Sequence, residues 1–473
     1  MRVAAYVRPW SEAYYHYFLR TAFPGQQLFL ISDWKGLGDF DWSGAFYKHY
    51  MGTKEQARVP YWLTSVIEHE IISRNFLLRS LSLAEAANLV RCMSAAIEEM
   101  LERIQPDLVL SPAVDSYVMD LLMRHCIARS IPYCGMLPSP ITGYTRITAV
   151  GEQIDFRKPT DCEVDEAVVR IADPSFTPVD LAEWLKMYGN SNVRMKRALR
   201  ELPKPYTFPI LGRLRGDPHN YHYRASSLTR ISFVSQALLI DRYFDPRWLD
   251  RIRKWPGTKI YLPLQAFPEC TTDYHVSQLD LIDFPRLLSR LIDALCSNGD
   301  NLVCVKEHPG MMGVRPPGFY DSILRRENVV LLSGNVPAAS LIAETDVVVT
   351  WTGTGGLEAA IRGKPVITVG KPFYSVGESF ANITNLEELD RADDFVRDMK
   401  TRHISTDEKF RIASHVLAGT FPGEYRFIRF DETNSSLLAD ANTLICGTLL
   451  HLEDWTVKNA AFHGLITQAP PIS

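Results

Sequence analysis

The sequence predicts an α/β protein built as two facing Rossmann-like domains, each a parallel sheet covered by helices, with a cleft between them. Three observations predict it. The chain has 473 residues, more than one core usually holds, so two domains of roughly 200 residues each are expected. Short apolar runs alternate with longer segments of helical period in both halves of the chain. The apolar runs are too continuous to leave one face wet, which is the pattern of parallel strands buried on both sides.

The elements follow in order. RVAAYVR (2–8) reads as a strand, SEAYYHYFLRTAF (11–23) as a helix behind a Ser cap, and QQLFLISDW (26–34) as a second strand, which makes a βαβ opening. After an aromatic span comes the long helix SLAEAANLVRCMSAAIEEMLERIQ (82–105), then the buried strand PDLVLSP, the helix SYVMDLLMRHCIARS (116–130) and the strand IPYCGML. From about 150 to 235 the pattern loosens into charged helical segments and the basic, aromatic GRLRGDPHNYHYRASSLTR. That span reads as an insertion plus interdomain connection, or as an acceptor-binding or membrane-facing element. The second block is more regular: TKIYLPLQ, NLVCVKE, NVVLLSG, DVVVTW and KPVITVG are strands, separated by FPRLLSRLIDALCSNG, PPGFYDSILRRE, PAASLIAET and GGLEAAIRG as helices. The expected boundaries are 1–235 for the N-terminal domain, 236–430 for the C-terminal domain, and 431–473 for a helical tail packing back on the N-terminal domain.

Composition narrows the function. A formal net charge of -4 gives no sign of a polyanion-binding surface, so nucleic acid is not an expected partner, although a local basic patch can hide within that total. The eight cysteines are scattered, without the close spacing of a zinc ribbon or redox pair. No apolar run reaches the length of a membrane span, and the start lacks the apolar core of a secretory signal. The expectation is a cytoplasmic protein whose membrane contact, if present, is peripheral.

Three strand ends carry polar clusters. After DVVVTW come Thr352, Gly353, Thr354, Gly355 and Gly356, and then a helix whose first N–H groups have no internal partner. Glycines allow close backbone approach, two hydroxyls add donors, and a helix start attracts anions, so a phosphate fits; a tight turn that needs glycine for packing fits as well. Neither the Walker pattern nor the dinucleotide fingerprint is present. Glu358, in the first helical turn, is placed to be stabilised by the helix dipole or to accept from a ribose. In VKEHPG, His308 and Pro309 follow a buried strand, and Lys306 shares the strand's two-residue period with His308. In YLPLQAFPECTTDYH, Gln265 and Glu269 follow another strand, and a carboxylate there can stabilise positive charge or carry a proton. Glu12 and Asp115, after strands of the first block, are candidates by position for acceptor contact or base chemistry.

With these residues assembled, the second block resembles the capsule polysaccharide synthesis family of glycosyltransferases, those with the GT-B arrangement. PLQAFPECTT, KEHPG and VVVTWTGTGGLEAAIRGKPVITVG carry the resemblance, over about residues 258–375. It implies a C-terminal domain that binds a sugar nucleotide and an N-terminal domain that presents the acceptor, and similar members transfer 3-deoxy-D-manno-octulosonic acid (Kdo) from CMP-Kdo. It also implies phosphate contacts from His308 with Pro309 and from Thr352 and Thr354, and a ribose contact from Glu358. Two threonines separated by glycine stand where an adjacent hydroxyl pair is usual, and Cys270 follows Glu269 where a basic or small residue is expected.

The implied activity is metal-independent transfer of a sugar from a nucleotide-sugar donor, CMP-Kdo first, to a surface polysaccharide or lipid-linked glycan. His308 and Glu269 are the candidate catalytic residues; Lys306, Pro309, Gln265, Thr352, Gly353, Thr354, Gly355 and Glu358 are the candidate donor-binding set. The expected partners are the nucleotide sugar, a glycan or glycolipid acceptor, and a peripheral membrane or glycan-assembly complex; no cofactor and no metal are expected. Two alternatives stand: a UDP-sugar epimerase of the same fold, and a noncatalytic assembly subunit.

Overall fold

A computed structural model describes residues 1–52, 59–155, 157–178, 182, 185, 190–228, 239–316, 318–423 and 425. The tail expected at 431–473 lies outside the described residues. Two sheets organise the chain, as the alternation predicts. The first contains β1 (Arg2–Tyr6), β2 (Gln27–Ser32), β3 (Phe40–Asp41), β4 (Leu108–Pro112), β5 (Tyr133–Pro138) and β6 (Tyr144–Ile147). The second contains β7 (Lys259–Pro263), β8 (Leu302–Lys306), β9 (Val329–Leu332), β10 (Val347–Thr350), β11 (Val366–Val369) and β12 (Phe380–Ile383). A last strand, β13 (Thr420–Pro422), returns to the first sheet.

The first sheet runs β13-β6-β5-β4-β1-β2-β3 and the second β12-β11-β10-β7-β8-β9. All pairings of the second sheet are parallel. In the first, β6 pairs antiparallel with β5 and with β13, so that sheet is mixed at one edge rather than parallel throughout. Each sheet has a topological switch point: β1 beside β4 in the first, β7 beside β10 in the second. There the connections leave in opposite directions, and a crevice opens at the carboxyl ends of the strands.

Side-chain alternation explains why both faces need cover. Val3, Ala5 and Val7 enter one core and Ala4 and Tyr6 the other; in β8, Leu302 and Cys304 face one core and Val303 and Val305 the opposite one. Burying each such side chain contributes about 1.5–3 kcal/mol, so a sheet apolar on both faces is stable only between two helical layers. Helix starts carry the expected caps: the Ser82 hydroxyl accepts from the Glu85 amide at 3.3 Å before the helix Leu83–Ile104, and Thr160 with Glu163 forms a capping box before Asp161–Ala172.

Two segments depart from the expected boundaries. The helix Asp161–Ala172 falls in the span read as insertion, yet its Val164, Ala167, Val168 and Ile171 pack into the second sheet's core. β13 falls in the range assigned to the C-terminal domain but extends the first sheet, and Tyr425 just beyond it packs on Tyr14 and Tyr15. Periodicity reports which face of an element is apolar; it does not report which of two cores receives that face.

The two halves meet along a polar seam. The Arg74 guanidinium donates to the carbonyls of Asp273 (3.2 Å), Val276 (2.7 Å) and Ser277 (2.9 Å), and the Asn75 amide donates to the Tyr274 hydroxyl at 3.1 Å. Arg79 pairs with Asp273 at 3.3 Å, and Phe76 meets Phe267 edge to face.

Candidate functional site

The candidate site of the second half stands on the carboxyl edge of β8, β7 and β10, at the switch point. Lys306 closes β8 opposite Pro263 of β7, and alternation turns it to the face of Leu302 and Cys304, which the helix Gly355–Ile361 covers. Both Lys306 and Glu358 are 5% exposed. Burial pushes the Lys306 ammonium down to about 8, against the raising fields of Glu358 and Glu307. Burial likewise pushes the Glu358 carboxyl up to about 7, against the lowering fields of Arg362 and Lys306. Each feels the other's charge, yet among the described residues neither side chain closes a hydrogen bond or ion pair. A buried charge without a hydrogen-bonded partner is costly; neither charged end is fully enclosed, so a ligand can supply that partner.

The glycine loop joins β10 to the helix that carries Glu358. Gln265 is buried and donates to the Thr350 hydroxyl at 3.2 Å; a Cβ on Gly353 would come within 2.5 Å of its Oε1, so glycine there admits the Gln265 side chain. The Tyr374 hydroxyl donates to the Gly353 carbonyl at 2.5 Å, and a Cβ on Gly356 would lie 2.6 Å from that same hydroxyl. Gly355 faces open space, its added Cβ meeting only Pro263 at 3.6 Å. The two threonines differ. Thr352 is buried and its hydroxyl donates to the Thr271 carbonyl, so its proton is committed to the protein. Thr354 is exposed at the helix start, and its side chain makes no capping bond.

His308 caps the short turn Pro309–Met311, its Nδ1 accepting from the Gly310 amide at 3.2 Å. Burial drives the imidazole down to about 4, so the ring is neutral at pH 7. With Nδ1 an acceptor, the proton resides on Nε2, which is then a donor. Pro309 is buried, close enough to Gly334 that a Cβ there would meet it at 2.9 Å. Beneath this turn lies a buried pair that the sequence reading passed over. Glu307 takes Arg315 at 2.7 and 3.1 Å and the Tyr320 hydroxyl at 2.6 Å, and its Oε1 also accepts the His308 amide at 2.6 Å. Arg315 in turn donates to the Gln265 carbonyl at 2.6 Å, tying the His-Pro turn to the β7 loop. The Arg315 and Tyr320 contacts hold Glu307 below the usual carboxylate range despite complete burial. The one sequence signal for it was adjacency to His308.

Glu269 is exposed at the start of the four-residue helix Cys270–Asp273 and accepts from the Thr271 hydroxyl at 2.7 Å. Across the seam, Asp115 and Glu269 both act on the Cys270 thiol, which burial first and these charges second push well up. Asp115 therefore reaches the same region, but as half of an ion pair: Arg8, at the end of β1, holds both its oxygens at 2.5 and 2.7 Å. Glu12 opens the helix Glu12–Ala22 and lines a separate hollow of about 590 Å³ with His16, Arg20 and Leu30, which includes neither Arg8 nor Asp115. The structure thus gathers the candidates of the second half at one edge and leaves Glu12 apart. Among the described residues no group of three or more His, Cys, Asp or Glu side chains is arranged to hold a metal ion.

Known proteins match this part of the chain. The family described as capsule polysaccharide biosynthesis protein is matched over residues 255–394. The capsule polysaccharide modification protein LipA of Neisseria meningitidis serogroup A is 32% identical over 82 residues, 17% of this chain and 12% of LipA. Protein FixF of Sinorhizobium fredii is 26% identical over 138 residues, 28% of this chain and 31% of FixF. Among solved structures, Thermosulfurimonas dismutans KpsC, a beta Kdo 2,7 transferase, is similar at a TM-score of 0.39 with 12% identity, over 93% of this chain and 99% of that one. The UDP-GlcNAc 2-epimerase of Neisseria meningitidis is similar at 0.29 with 11% identity, over 95% and 100%. The segment that holds Gln265, Lys306, His308, the glycine loop and Glu358 is thus the one that matches the capsule polysaccharide biosynthesis family.

Proposed function

We propose that this protein is a glycosyltransferase that takes a sugar from a nucleotide sugar bound at the edge of β7, β8 and β10 and passes it to a glycan or glycolipid acceptor. The observation that carries the reading is the Lys306–Glu358 couple: a buried ammonium and a buried carboxylate beside the strand end that leads into the glycine loop, each lacking a hydrogen-bonded partner among the described residues. A nucleotide supplies both partners, a phosphate for the ammonium and a ribose hydroxyl for the carboxylate. The family match over the same residues supports it.

In the reaction the bond from the anomeric carbon to the phosphate oxygen breaks and its electron pair leaves with the phosphate. Lys306, the Nε2–H of His308 and the Thr354 hydroxyl are the donors for that growing charge, and stabilisation of this kind is worth about 3 kcal/mol per well-placed donor. The acceptor oxygen attacks the anomeric carbon and gives up its proton; Glu269 is the carboxylate assigned to the positive charge on the sugar or to that proton. CMP-Kdo is the favoured donor, on the resemblance of the three motifs.

The test is to incubate the protein with CMP-Kdo or UDP-GlcNAc, with and without a glycan acceptor. Release of CMP that requires acceptor and lengthens it supports transfer. Conversion of UDP-GlcNAc to its epimer without acceptor would replace this reading by an epimerase.

A further inference from the structure

The helix Lys204–Leu214 exposes an apolar stripe that the proposed reaction does not use, and Leu199 of the preceding helix Ser191–Glu201 and Leu202 between the two are exposed as well. Leu199, Leu202, Tyr206, Ile210, Leu211 and Leu214 are all exposed. Tyr206, Ile210 and Leu214, at 69, 56 and 78% exposure, follow each other at four-residue intervals and so form one stripe along their helix. Single exposed hydrophobic residues need no explanation, but a contiguous stripe marks a contact surface.

Charge says what covers it. Residues 191–216 carry seven Lys/Arg against the single acid Glu201; Arg194 is buried against Asp241 and Lys204 pairs with Glu201, which leaves a basic excess among the exposed side chains. Lys196 and Arg200 on the first helix and Arg213 and Arg215 at the end of the second are exposed. A second copy of the chain would set these exposed basic side chains against the same ones across a two-fold interface, which is repulsive. An anionic bilayer satisfies both features, taking the stripe into the headgroup boundary and neutralising the basic side chains. Among the described residues no helix is long and apolar enough to cross a membrane, and this pair has the character of helices that lie on one.

We propose that the helices Ser191–Glu201 and Lys204–Leu214 form a docking surface for anionic lipid bilayers. The surface is fixed to the candidate donor site. Arg197 donates to the Gly310 carbonyl of the His-Pro turn at 2.7 Å, and Arg194 pairs with Asp241 at 2.6 Å. Docking there brings the edge of β7, β8 and β10 to the membrane, where a lipid-linked acceptor would be met.

The experiment is co-sedimentation of the full chain with vesicles of phosphatidylcholine alone or mixed with phosphatidylglycerol, against a blank without vesicles. The expected result is binding to the anionic vesicles that weakens with salt, and weak or no binding to the neutral ones. Ile210→Ser with Leu214→Ser, and separately Arg200→Gln with Arg213→Gln, should each weaken binding about tenfold or more, at an unchanged melting temperature. Leu83→Ser, at an exposed leucine elsewhere, should leave it unchanged. Equal binding by all variants, or no binding by folded wild-type protein, would overturn the proposal. So would a wild-type dimer that Ile210→Ser converts to monomer, which would give the surface to a second copy.

Discussion

At the residue scale the account rests on Lys306 and Glu358. Lys306→Met should weaken nucleotide binding about a hundredfold, the loss of one charge-assisted contact of about 3 kcal/mol, while the melting temperature holds or rises because a buried ammonium has been removed; titration calorimetry and thermal melting check the two halves. Acidity gives a second handle. Lys306 titrates at about 8 in the folded chain, so nucleotide affinity should fall as pH rises through 8 and the ammonium is lost. For Glu358 the folded value, about 7, is raised above the ordinary carboxylate. The folded state then binds more protons than the unfolded one between the two values, and stability falls as pH rises from about 4.5 to 7. Glu358→Gln should remove up to roughly 3 kcal/mol of that dependence, which denaturant melts across the range will show. Both residues were legible in the sequence as strand-end and helix-start groups. Their shared burial was not, because it depends on β8 and the helix Gly355–Ile361 meeting on one face of the sheet. The same blindness made Thr352 and Thr354 look equivalent.

At the element scale the glycine loop and the turn below it divide by purpose. Gly356→Ala drives a Cβ against the Tyr374 hydroxyl and to 3.0 Å from the Thr350 methyl, and should cost about 1–3 kcal/mol of stability. Gly353→Ala meets only the far end of Gln265, which can turn aside; it should cost less stability and more nucleotide affinity, and melting with titration on both variants separates the two effects. Glu307→Gln breaks a pair with Arg315 whose members are 0 and 2% exposed and should lose about 3–5 kcal/mol, read from denaturant unfolding. The main strands and the loop were legible from apolar runs and glycine punctuation. The Glu307–Arg315–Gln265 linkage was not, since Arg315 lies in an irregular loop and its carbonyl partner 50 positions earlier, where periodicity carries no signal.

At the scale of the whole molecule, two sheets were readable from alternation and length, while their switch points and the crossing of the chain between them were not. The helix Asp161–Ala172 joins the second core and β13 returns to the first, so neither half is one continuous stretch, and melting should be cooperative across the seam. Arg74→Ala removes the donor to three carbonyls of the loop Asp273–Ser277 and should cost about 2–4 kcal/mol; scanning calorimetry should show one transition separating into two. The arrangement places the Arg8–Asp115 edge of the first sheet near the Glu269–Cys270 loop of the second, which is where an acceptor would meet a donor. The most direct test of the central claim is isothermal titration of the full chain with CMP, UDP and GDP, repeated on Lys306→Met, His308→Ala and Thr354→Ala. The expected result is selective binding of one nucleotide, CMP first, that all three substitutions weaken without loss of fold. Absence of binding by folded protein, or binding that Lys306→Met leaves intact, would contradict it.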